Sequence, residues 1–184
     1  GALDLRRDVY EFAQWLHSRN LPHALAHPLY AQNGKLTRSH LERSALLDWS
    51  ERWRDEPEGL RSLVILFAGP LDLDEAQFEA AMWERLQSLA DKDHWLGQGF
   101  DRTVSPDPDD PHFSLSFGGD AYFAVGLHPN ASRPARRFPR PAIVFNLHSQ
   151  FERLREEGRF ERMRDRIMAR DTALAGTPNP KLAD

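Results

Sequence analysis

Apolar residues recur at helical spacing over 5–17, where Leu5, Val9, Phe12, Ala13 and Leu16 share one face until Leu21-Pro22 ends the run. A second helix is predicted from the capping box Ser39-His40-Leu41-Glu42, carrying Leu46, Leu47, Trp49 and Trp53 to a stop at Pro57. The tryptophans read as core. Ser62-Leu-Val-Ile-Leu-Phe-Ala68 is almost wholly apolar and bounded by Gly69-Pro70, the pattern of a central strand buried on both faces. Asp72 and Glu75 then start a helix with Leu73, Phe78, Met82, Leu86 and Leu89, predicted to end near Lys92. Gly, Asp and Pro mark 97–111 as a surface loop. Residues 113–127 read as a hairpin or bulged pair of strands around Gly118-Gly119-Asp120, and 141–147 as a further strand. After it, Ser149-Gln150-Phe151-Glu152 has capping-box form, and Phe151, Leu154, Phe160, Met163 and Ile167 continue at helical intervals with a break at Gly158. The tail 172–184 is expected to be extended. Together these elements predict an α+β class, with a central mixed β-sheet and helices packed on it. A single domain is expected, its functional core at 112–170.

Composition narrows the chemistry. Of 184 residues, 40% are hydrophobic and 28% charged, as in a globular protein, and none is cysteine. Disulfides, thiolate nucleophiles and zinc-thiolate or cysteine-ligated haem sites are therefore excluded, and any metal must be held by His, Asp, Glu, Tyr or Met. No apolar run approaches the ~20 residues of a membrane span and the N-terminus shows no signal-peptide pattern, so the cytoplasm is the expected location.

Charge is unevenly placed. Residues 131–170 hold eleven arginines against five acids, whereas 1–130 hold twelve basic and twenty-one acidic residues. The positive charge gathers at Arg133, Arg136, Arg137 and Arg140, with no acid between them. Such a patch suits a small anionic ligand better than a nucleic-acid backbone, which needs a broad basic face. A solvated arginine-rich turn is the competing reading.

Two of the eight histidines stand at comparable places, His128 directly after one predicted strand and His148 directly after another. The connection 128–140 has room for the short crossover helix that a parallel pair requires. A parallel pair would bring both imidazoles to one edge, where open α/β sheets form ligand crevices; an antiparallel pair would separate them. Two imidazoles beside four arginines suit a haem, since neutral histidine ligates iron and arginine pairs with propionates. Gly118 and Gly119 would let a flat macrocycle approach. With an added carboxylate the same histidines would make a non-haem iron site. A histidine at a strand end is also a common hydrogen-bonded structural residue.

The string Phe113-Ser-Leu-Ser-Phe-Gly-Gly-Asp-Ala-Tyr-Phe-Ala-Val-Gly-Leu-His-Pro-Asn-Ala-Ser-Arg-Pro-Ala-Arg-Arg-Phe138, followed by Phe145-Asn-Leu-His-Ser-Gln-Phe-Glu-Arg-Leu-Arg155 and by Ile167-Met-Ala-Arg-Asp171 to Asn179-Pro180, resembles the YqcI/YcgG family. The resemblance is dense over the last third of the chain and looser over the helix with Phe78, Trp83 and Leu86. It implies a haem protein, since the family includes haem-dependent oxygenases that N-hydroxylate guanidino groups such as that of arginine. The family pattern is densest at Gly-Leu-His-Pro and Phe-Asn-X-His-X-Gln-Phe. By that resemblance His128 is the expected axial ligand. His148 is the second candidate, as ligand or as a distal group.

On the same reading Arg133, Arg136 and Arg137 would neutralise the propionates, Asn146 or Gln150 would donate a hydrogen bond at the distal face, and Asp120 would hold a cationic substrate. The implied partners are haem, a small amine or guanidine and an electron donor, with no nucleic acid and no membrane. A homodimer would use Trp49, Trp53 and the helix after Glu152. The chain departs from the family at Leu21-Pro22-His23, where many members have Pro-Cys, and lacks their Tyr-Ser-Gly-Arg and Trp-Lys-Cys-Pro-Phe ending. Binding of haem without catalysis, as a sensor, carrier or store, is the alternative.

Overall fold

A computed structural model describes residues 24–26, 38–57, 59–67 and 69–178. The helix expected over 5–17, and His23, lie outside the described residues. Five strands form one mixed sheet: β1 (Ala24–Ala26), β2 (Ser62–Leu66), β3 (Leu115–Phe117), β4 (Asp120–Leu127) and β5 (Ala142–Leu147), in the order β1-β2-β5-β4-β3. β1 runs parallel to β2 and every other neighbouring pair is antiparallel. With helices α1 (Arg38–Asp55), α2 (Glu75–Trp95), α3 (His148–Glu156) and α4 (Phe160–Ala175), the class is α+β.

One face of the sheet carries the main core. Leu63 and Ile65 of β2, Phe117 of β3, Tyr122 of β4 and Ile143, Phe145 and Leu147 of β5 pack against Leu46, Trp49 and Trp53 of α1 and Leu86 and Leu89 of α2. Alternation along the strands selects that set, and each fully buried large side chain contributes about 1.5–3 kcal/mol. The tryptophans are core, as expected, and for that reason they do not form the dimer surface also expected of them. On the opposite face a smaller cluster of Val64, Leu127, Phe138 and Ala142 is buried.

Several expected boundaries move for identifiable reasons. α2 is capped by Asp74 rather than Asp72 or Glu75: its carboxylate accepts from the Gln77 N–H at 2.8 Å while Gln77 Oε1 accepts from the Asp74 N–H at 3.0 Å. α3 opens at His148, and no side-chain cap comes from Ser149. Gly158 does separate α3 from α4 with φ +64°. The tail is not extended from 172, because α4 continues to Ala175 and Gly176, at φ +76°, closes it with a bond from its N–H to the Thr172 carbonyl. Among the described residues no helix is long and apolar enough to cross a membrane.

Candidate functional site

The segment between β4 and β5 is not a crossover helix. It holds a 3-10 turn at Pro134–Arg136, and β4 and β5 are antiparallel, with Tyr122 opposite Leu147 and Leu127 opposite Ala142. The parallel arrangement that would have brought His128 and His148 together is therefore not formed. Six residues of strand separate them, roughly 20 Å at the usual rise per residue. They also lie on opposite faces, His128 against Phe78 of α2 and His148 against Phe123 of β4. No single metal can take both, and among the described residues no group of three His, Asp or Glu side chains is placed to hold one.

His128 continues the alternation of Tyr122, Ala124 and Gly126 onto the face covered by α2. Only 3% of it is exposed, and its ring stacks on Phe78 with centroids 4.4 Å apart and planes 17° apart. Gly126 makes that stack possible: a Cβ there would stand 2.6 Å from Phe78 Cε1 and 2.7 Å from Met82 Sδ. The backbone of His128 is fixed by a bond from its N–H to the Arg136 carbonyl and by bonds from the Ala131 and Phe138 N–H groups to its own carbonyl. Its ring is not fixed that way, because Nδ1 is buried with no hydrogen-bond partner. Burial holds the imidazole below its ordinary value, against the pull of the Glu75 carboxylate. Beyond Phe78 opens a cleft of about 260 Å³ between α2 and the sheet, with apolar walls from Phe67, Phe78, Met82 and Ile143 and a polar side from Glu84, Arg85 and Ser88; His128 does not line it.

At the other end His148 heads α3, its side chain 22% exposed and its Nε2 3.8 Å from Glu152 one turn on. Burial lowers its pKa, Glu152 raises it and Arg155 lowers it further. The residues assigned to catalysis with it are engaged in structure. Asp120 takes both oxygens to Arg54 Nη1, at 2.9 and 2.7 Å. Asn146 Oδ1 accepts from the Ser62 hydroxyl at 2.5 Å. Gln150 is buried and clamps the Arg61 backbone, accepting from its N–H at 2.7 Å and donating to its carbonyl at 2.9 Å. Gly118 and Gly119 lie at this end too, at φ +65° and +86°, and a Cβ on Gly118 would fall 1.8 Å from Leu47 Cδ2. They serve the β3–β4 turn and its packing on α1, not the approach of a macrocycle to His128.

The arginines lie at the His128 end. Arg133 pairs with Asp171 of α4 and reaches the Thr177 carbonyl at 3.0 Å, and Arg137 donates to the Ala131 and Ser132 carbonyls at 2.8 and 3.2 Å. From the sequence Phe78 had only its place in a helix periodicity, and Asp93 and Gly126 had no role assigned. Asp93 binds the Arg43 guanidinium and the Gly118 N–H, the latter at 2.5 Å, so one buried carboxylate ties α1, α2 and the hairpin together. Its signal is an acid on the apolar face of a helix, at spacing i, i+3, i+7 with Leu86 and Leu89.

A haem asks its ligand histidine to be neutral and to offer a nitrogen in the ring plane. His128 meets the first condition, since burial favours its neutral form, and for the second it has an unpartnered Nδ1, which is sealed from solvent and does not line the cleft. The donor chemistry at this end therefore fits the group, and ligation requires the packing around the ring to open. Nothing among curated proteins or solved structures matches the chain significantly. A family model does match, over residues 22–184, and the chain belongs to the YqcI/YcgG family.

Proposed function

We propose that this chain binds haem through His128 in the cytoplasm and hydroxylates a nitrogen of a small amine or guanidine such as arginine. The observation that carries the reading is His128 itself: a buried imidazole, held toward its neutral form by that burial and with an unpartnered ring nitrogen, in the family's Gly-Leu-His-Pro segment. Bound haem supplies the activation of oxygen, and with hydrogen peroxide as oxidant the balance is amine plus peroxide giving hydroxylamine plus water. Phe78 orients the imidazole plane, Gly126 leaves room for Phe78, and the Arg136 carbonyl fixes the His128 backbone.

A second reading, haem binding without turnover, draws support from the commitment of Asp120 to Arg54 and of Asn146 to Ser62. Both are tested by titrating haem into the purified protein, then adding arginine or a short alkylamine with peroxide and following the substrate by mass. A Soret shift with a product one oxygen heavier supports the enzyme. A Soret shift that no substrate perturbs, with no product, supports the binding role, and no shift in folded protein contradicts both.

A further inference from the structure

The cleft between α2 and the sheet has a chemistry of its own. Its volume of about 260 Å³ corresponds to roughly eight waters at their share of the liquid, room for a small molecule. Phe67, Phe78, Met82 and Ile143 make its apolar walls, and Phe78 both lines the cleft and stacks on His128. Charge along the chain here is the reverse of the arginine patch: residues 62–84 hold five acids, Asp72, Asp74, Glu75, Glu79 and Glu84, and no lysine or arginine. Two of the five are used within the fold, Asp74 as the cap of α2 and Glu75 as acceptor from the Ser132 hydroxyl. Glu84 stands in the cleft wall itself, and no described residue hydrogen-bonds or ion-pairs with its carboxylate. Two bases border the cleft, Arg85 in its wall and Arg140 next to Pro141, and both already have interaction partners within the protein.

We propose that this cleft binds a small alkylamine, with its hydrocarbon chain against Phe67, Phe78, Met82 and Ile143 and its ammonium group on Glu84. A neutral apolar molecule satisfies the walls alone, and an anion meets the field of the acids, so charge selects the cation. Each buried methylene adds about fourfold in affinity, whereas an exposed ion pair adds only about threefold. The walls therefore supply most of the binding and Glu84 the choice of head group. Arginine fits the cleft poorly, because its α-carboxylate faces the same acids and its guanidinium brings charge to apolar walls. As a binding site the cleft stands without haem. As the seat of the substrate it rests on the proposed function, and it then favours an alkylamine over arginine.

The test follows backbone amide shifts by NMR while butylamine, hexylamine, hexan-1-ol, hexanoate and arginine are titrated into the full chain, free of haem, at matched ionic strength. Wild type is compared with Glu84→Gln, with Glu79→Gln as a control for charge on α2 outside the cleft wall, and with Ala81→Phe, which fills the cleft from an exposed position. Shifts are expected at the cleft walls, with hexylamine binding about fifteenfold tighter than butylamine and about threefold tighter than hexan-1-ol, and with hexanoate and arginine weakest. Glu84→Gln should remove the preference for hexylamine over hexan-1-ol while Glu79→Gln keeps it, and Ala81→Phe, folded by its amide spectrum, should lose the whole series. Hexanoate bound as tightly as hexylamine, a preference untouched by Glu84→Gln, hexylamine binding that survives in folded Ala81→Phe, or no binding in wild type overturns the proposal. A wild type that orders the ligands as expected, and yet shows no Soret shift when haem is titrated separately, keeps the cleft and discards the haem reading.

Discussion

The two ends of the sheet carry one candidate histidine each, and they differ in how far their polar groups are already satisfied. At the His148 end, Asp120, Asn146, Gln150 and Asp93 all have partners within the fold, and His148 itself lies beside Glu152. At the His128 end the ring Nδ1 and the Nε of Arg133 are buried without hydrogen-bond partners among the described residues, beside a cleft, while in the main core the indole N–H groups of Trp49 and Trp53 are unpartnered as well. Satisfied polar groups hold a structure together, and among the unmet ones an imidazole nitrogen can ligate a metal while an indole N–H cannot. That contrast, more than either histidine taken alone, assigns ligand chemistry to one end and architecture to the other.

The largest effect that sharpens the contrast is expected at Arg133. Its removal leaves Asp171, 8% exposed, as an uncompensated buried carboxylate, so Arg133→Ala should lower the unfolding free energy in urea by about 3 kcal/mol. Next comes Gly126→Ala, whose methyl group meets Phe78 and Met82. A loss of about 2 kcal/mol is expected, together with weakened haem binding, because the stack on His128 is displaced. Gly118→Ala also collides, with Leu47, but at the other end, and should destabilise the protein while leaving the haem affinity of the folded fraction unchanged. Equal haem loss in both variants would break the comparison.

Arg54→Ala removes an ion pair at the His148 end in which the arginine side chain is 52% exposed, and is expected to cost under about 1 kcal/mol. The smallest effect is in pH. His128 is held below its ordinary value of 6.5, so the unfolded chain takes up the proton first as pH falls. Its contribution to stability is complete above that value and is lost as pH drops through the window beneath it. Chemical unfolding followed from pH 7.5 to 5 should show His128→Phe with a shallower acid loss than wild type; an unchanged slope would mean the ring is not desolvated in solution.

Much of this was legible in the residues. The apolar run at Ser62–Leu66, the glycine turn at Gly118-Gly119 and the break at Gly158 reported their elements, because each depends on local backbone or burial preferences. The direction of β5 against β4 was not legible, since strands buried on both faces show the same pattern whether parallel or antiparallel, and a connection of thirteen residues can serve either. That one ambiguity decided whether the histidines met. The roles of Gln150 and Asp120 were hidden for a different reason: Gln150 is matched to the backbone of Arg61 and Asp120 to Arg54, residues 89 and 66 positions away. A capping box or a turn acid was the nearest local explanation, and long-range pairing replaced it.

The most direct measurement is an absorbance titration with haem of wild type, His128→Gly and His148→Ala, repeated for His128→Gly with free imidazole in solution. The account predicts a Soret band in wild type and His148→Ala, its loss in His128→Gly and its return with imidazole. A band that persists in His128→Gly and disappears in His148→Ala would contradict it and move the ligand to the opposite end of the sheet.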